Sequence, residues 1–74
     1  MTMEDFYFML AVKKPLEFVH RDKTYSLTYG SDEKGAYIAF GRLYDTPVRY
    51  RDAGELLNDA KMENHFFKEV LADI

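Results

Sequence analysis

The sequence predicts a small α+β domain: an antiparallel meander of three to four strands, one helix before it and two after, all packed on one face. Three observations carry that prediction. Residues 24–29 alternate between polar and apolar, the pattern of a half-buried antiparallel strand. Phe66, Phe67, Val70, Leu71 and Ile74 fall on one face of a terminal helix. Six Phe and six Tyr among 74 residues offer a core that needs no disulfide, and Cys is absent.

The first helix is read over residues 3–12. Thr2 suits an N-cap, and Glu4 and Asp5 suit the positive end of a helix dipole. Met3, Phe6, Tyr7 and Leu10 fall at i, i+3, i+4 and i+7 and make the expected buried stripe. Phe8, Met9 and Val12 lie off it, so the segment is apolar nearly all round. A strand over Phe6–Val12 is the competing reading. Lys13 and Lys14 complement the C-terminal dipole, and Pro15 stops the helix.

Leu16–His20 reads as a short strand and Arg21-Asp22-Lys23 as a tight turn. In Thr24–Tyr29, Tyr25, Leu27 and Tyr29 point one way, with Thr24, Ser26 and Thr28 opposite. Gly30 to Gly35 reads as a polar loop. Ala36–Phe40 is apolar throughout, which suits a central strand. Gly41 to Pro47 connects it to a fourth strand, Val48–Arg51, with Val48 and Tyr50 inward and Arg49 and Arg51 outward. Its proline-flanked start suits a sheet edge.

Asp52, with Glu55 three residues on, opens a helix that runs to about Ala60. Ala53, Leu56, Leu57 and Ala60 form its inner stripe. Met62-Glu63-Asn64 reads as a connection, with Asn64 capping the last helix.

Two stretches carry a family likeness. Phe18-Val19-His20-Arg21-Asp22-Lys23-Thr24-Tyr25 follows an F-x-x-x-x-K-x-Y hairpin pattern. Asp52-Ala53-Gly54-Glu55-Leu56-Leu57 follows an Asp/Ser-x-x-E-L-L helix pattern. With a short terminal helix after them, the layout resembles that of small bacterial proteins of uncharacterised function. The resemblance spans most of the chain. It implies a shape and carries no activity or functional residue with it.

Composition narrows the function classes. The longest apolar run, Phe6 to Val12, is shorter than the roughly 18–20 residues that span a bilayer. Acidic rather than basic residues precede it, unlike a secretory signal, so a soluble cytoplasmic protein is the expectation. The net charge is −3, with six acidic and two basic residues in the stretch 52–74. That balance disfavours general nucleic-acid binding, which is mostly electrostatic.

No catalytic, metal or cofactor motif stands out. His20 and His65 are far apart in sequence and neither belongs to a close ligand pair. The loop around Asp32-Glu33 is too short for a calcium loop of about twelve residues. Ser26, Ser31 and the threonines show no triad, although His20 is placed opposite Thr24 across the expected hairpin. The expectation is a non-enzymatic protein that holds no metal or cofactor.

Two surfaces remain as candidates. The first is aromatic. Consecutive helical residues turn about 100° apart, so Phe6, Tyr7 and Phe8 cannot all face one core. Phe8, Met9 and Val12 are candidate interface residues for a protein partner or self-association, with Tyr37 and Tyr44 as further rings the core does not need. The second is basic. Arg42, Arg49 and Arg51, interleaved with Tyr44 and Tyr50, make the alternative: a weak anion or single-strand nucleic-acid site. Outward charge on an edge strand is equally ordinary protection against edge-to-edge pairing.

Overall fold

Strict alternation along one long strand divides the sheet into two faces. In the computed structural model, which describes residues 1–74, that strand is β2 (Lys23–Asp32). It lies between β1 (Leu16–His20) and β3 (Gly35–Arg42), and β4 (Val48–Tyr50) closes the far edge in the antiparallel order β1-β2-β3-β4. Helix α1 (Met3–Ala11) precedes the sheet. After it come α2 (Ala53–Asp59), the two-residue strands β5 (Lys61–Met62) and β6 (His65–Phe66), and α3 (Phe67–Val70), which runs into a 3₁₀ turn at Leu71–Asp73.

Directly paired residues on neighbouring strands share a face. Leu27 pairs with both Leu16 and Phe40, Tyr25 with Phe18, and Ile38 with both Tyr29 and Tyr50. These residues form the inner face, and all three helices pack on it. Phe6 and Met9 arrive from α1, Leu56 and Leu57 from α2, and Phe67, Val70 and Leu71 from the C-terminal turn of chain. Phe67 is the hub. Its ring centroid lies 5.6 Å from Phe6, 6.2 Å from Phe18 and 4.7 Å from Phe40.

Side-chain caps and left-handed residues set the ends of the elements. The Asp5 N–H donates to Thr2 Oγ1 at 3.0 Å, and the Glu55 N–H donates to Asp52 Oδ1 at 2.8 Å. At the end of α1 the Lys14 N–H reaches the Met9 carbonyl and the Lys13 N–H reaches that of Leu10. This is a Schellman closure, and it puts Lys13 at φ 56° in a place that favours glycine. Arg21 and Asp22, at φ 51° and 65°, form the two-residue turn between β1 and β2. Positive φ at both positions matches the twist of the strands.

Four expectations need correction. First, Gly30 to Gly35 is not a loop: Gly30, Ser31 and Asp32 continue β2, paired with Tyr37, Ala36 and Gly35. The turn shrinks to Glu33-Lys34 because Asp32 Oδ1 accepts the Lys34 N–H and Gly35 takes φ +111°. Second, α1 is rotated about its axis. Met9 is buried and Tyr7 and Met3 are exposed, because the contact between Phe6 and Phe67 selects the face that includes Phe6 and Met9. Third, Asn64 caps nothing. Met62 is fully buried, and pairing of Met62 with His65 and Lys61 with Phe66 makes a small hairpin that delays the helix to Phe67. Phe66 therefore stays at the rim, with the ammonium groups of Lys61 and Lys68 over its ring. Fourth, Val48 pairs with Phe40 and shares the inner face, yet it is exposed because it sits at the sheet edge.

Two stability measurements follow from this architecture. Phe67→Ala should cost about 3–5 kcal/mol, the range for removing a buried aromatic. In a domain this small that change should abolish the cooperative urea transition at 25 °C. Lys13→Gly should raise stability by about 0.5–1 kcal/mol, because glycine meets no Cβ penalty at a left-handed position. A higher urea midpoint with an unchanged m-value is the expected result.

Candidate interaction surfaces

The solvent side of α1 is the most apolar exposed region. Phe8 is 68% exposed, Val12 55%, Tyr7 48% and Met3 43%. At 100° per residue, Met3, Tyr7, Ala11, Phe8 and Val12 cover half of the helix circumference, interrupted only by Glu4. A solvent-facing helix surface normally carries the reverse balance of polar and apolar groups. Beside Phe8 runs a groove of about 240 Å³ between α1 and the start of β1, lined by Asp5, Met9, Lys14, Pro15 and Leu16 among others. Of the candidate residues on this helix, Phe8 and Val12 stand in solvent. Met9 is buried in the core and drops out as a contact residue, contrary to the expectation.

Tyr37 and Tyr44 lie elsewhere and do not join this surface. Tyr44 is 96% exposed, at φ 73° in the connection between β3 and β4. Tyr37 lies on the outer face of the sheet, directly across from Gly30. Its ring covers that glycine so closely that a Cβ built on Gly30 would fall 2.5 Å from the Tyr37 hydroxyl oxygen. The Arg49 guanidinium then stacks on the ring at 4.5 Å. Pro47 covers Gly41 in the same manner, its Cα 3.2 Å from where a Cβ would stand. Ala39, between the two glycine sites, is buried. Side chains thus shelter the middle of the outer face, while Val19 at its β1 edge is 69% exposed.

Two of the three candidate anion-binding arginines meet on this face. Arg51 donates from Nη1 and Nη2 to the two oxygens of Asp32 at 2.9 and 2.6 Å, and Arg49 Nη1 lies 3.4 Å from Oδ2. Hydrogen bonding from Arg51, helped by the Lys34 N–H, holds the Asp32 carboxyl well below the usual carboxylate range, and the same bond raises the Arg51 value. The cluster opens onto a cleft of about 480 Å³ lined by Asp32, Glu33, Lys34, Arg49 and Arg51. That cleft has no apolar wall, unlike most small-molecule sites. Arg42 stands apart. It pairs with Tyr25 and so faces the opposite side of the sheet from Arg49, and its Nε lies 3.8 Å from Asp45. Both guanidinium groups that converge are already matched to a carboxylate.

The histidines meet although 45 residues separate them in the chain. His20 ends β1, His65 opens β6, and their ring centroids are 6.5 Å apart at 78°. The β5–β6 hairpin brings them together, and a salt bridge of 2.8 Å from Lys23 to Glu63 ties the same two regions. The hidden signal was the polar pair Glu63-Asn64 between Met62 and His65, which spaces a two-residue hairpin. His20 Nε2 is buried without a hydrogen-bond partner. No set of three His, Cys, Asp or Glu side chains assembles around a common point. Thr24 pairs with Val19, so it faces away from His20 and is not placed opposite it as expected.

No family model, no curated protein and no solved structure matches this chain. No helix is long and apolar enough to cross a membrane.

The Asp32 cluster has a pH signature. A carboxylate with a depressed value in the folded state stabilises above its unfolded value, about pH 4, and that stabilisation fades as pH falls toward the folded value. Urea midpoints should therefore drop on acidification below about pH 5. In Asp32→Asn that drop should be shallower and the midpoint at pH 7 lower than in the parent. Glu63, lowered by its bond to Lys23, contributes in the same direction.

Proposed function

We propose that this protein is a non-enzymatic interaction module whose contact surface is the solvent face of α1. The observation that carries the reading is the exposed run of Met3, Tyr7 and Phe8 on one nine-residue helix and of Val12 at its C-cap. Aromatic residues and methionine are enriched at protein interfaces, and large rings near the centre of a patch dominate binding energy. Phe8 holds that position, with Tyr7 and Val12 beside it.

Other classes find less support. No hydrophobic residue lines the cleft at Asp32, and its two arginines are held in place by the one carboxylate they share.

The test is cross-linking of the tagged chain in extracts of the cell that makes it, next to the Phe8→Glu/Val12→Glu variant. Both side chains are mostly exposed, so the variant should keep the parent circular dichroism spectrum. The expected result is a set of cross-linked polypeptides, further copies of the chain included, that the variant loses. Equal recovery by parent and variant would remove α1 as the contact surface.

A further inference from the structure

The groove beside Phe8 is complementary to itself. Asp5, in the first turn of α1, and Lys14, just past its C-cap, both line it together with Phe8. From Asp5 to the last helical residue, Ala11, is roughly 9 Å at helical rise, and the Schellman turn then carries the chain to Lys14. Neither charged side chain takes part in any of the chain's four salt bridges. An apolar knob next to an apolar groove, with opposite charges at the two ends, is what a two-fold interface requires: one patch that fits a rotated copy of itself.

We propose that two copies of this chain associate through the groove about a two-fold axis beside Phe8, with their α1 helices antiparallel. The Phe8 ring of each copy enters the groove of the other. Asp5 of each copy then faces Lys14 of the other, and the helix dipoles oppose. The inference rests on the reading of α1 as the contact surface and names its partner.

The area sets the strength. Full burial of a large side chain removes about 150–250 Å². Phe8 and Val12 lie on the groove side of the helix, and at their exposures they leave roughly 200–250 Å² of side chain per copy to cover, or roughly 400–500 Å² for a pair. Stable complexes bury about 1,200–2,000 Å². So small a contact belongs to the weak, transient class, and opposite charges fix its direction more than its affinity.

Sedimentation velocity on the purified chain tests this from about 5 µM to about 1 mM, the range where such weak pairs form. The parent should shift from monomer to dimer across the range. Phe8→Glu should weaken the dimer by roughly tenfold or more, as loss of a central anchor does. Asp5→Lys and Lys14→Glu should each weaken self-association by roughly three- to tenfold, because each places like charges at both ends of the interface. A mixture of the two charge variants should restore dimer, and so should the double variant D5K/K14E. Like circular dichroism spectra among the variants exclude misfolding as the cause. A parent that stays monomeric at every concentration overturns the pairing. If the cross-linking pattern still depends on Phe8 in that case, the contact surface survives and its partner is a different protein. A dimer that ignores all of these substitutions overturns both the pairing and its place on α1.

Discussion

Phe67 is the residue on which the remaining structure depends. None of the three helices exceeds nine residues, and α3 has four. Isolated helices shorter than about 12–15 residues are marginal in water. Each therefore exists only because it buries something against the sheet, and the ring of Phe67 is the common object. Phe6 reaches it from α1, Phe18 from β1 and Phe40 from β3. Its own N–H donates to the Ala60 carbonyl at 2.9 Å, which ties α3 to the end of α2. One side chain thus joins both ends of the chain to the middle of the sheet.

That hub also decides what is left outside. Once Phe6 is committed to Phe67, helical geometry brings Met9 inward at i+3 and turns Tyr7 and Phe8 away. Tyr7 remains beside Phe6, ring centroids 6.0 Å apart, but without cover. The exposed surface of α1 is therefore a direct consequence of core packing. A nine-residue helix with apolar groups on every side can bury only one arc of them.

How far the sequence could be read followed from how many signals agreed at each residue. β1 was legible to its ends because alternation, the Arg21-Asp22 turn and Pro15 all pointed the same way. The caps at Thr2 and Asp52 were legible because the donors they satisfy lie three residues on. The face of α1 was not, because a helix apolar all round has no preferred arc until a partner ring selects one. Gly30 misled because glycine reads as a loop residue. Its role is to make room for Tyr37, a residue seven positions away that reaches it only through strand pairing. The pairing of Asp32 with Arg49 and Arg51 was hidden for the same reason. With Gly30 to Gly35 read as a loop, Asp32 had no fixed register and no neighbour on the fourth strand. For Phe8, knowing that consecutive rings diverge by about 100° was sufficient without any tertiary information.

The two uncovered sides of the core differ in a way that bears on function. The outer face of the sheet has no helix, yet its backbone is sheltered. Tyr37 lies over Gly30, Pro47 over Gly41 and Arg49 over Tyr37. Asp32 then pins the arginines in place. No comparable device shelters α1. Glu4 lies within the apolar arc, but no long side chain folds across Phe8, and Lys13 and Lys14 sit beyond the end of the helix. The chain shelters the glycine sites of the sheet with its own residues and leaves the apolar arc of α1 open, which supports reading that arc as the contact surface. The flanking charges of Asp5 and Lys14, unpaired within the chain, give that side a direction as well as an apolar surface.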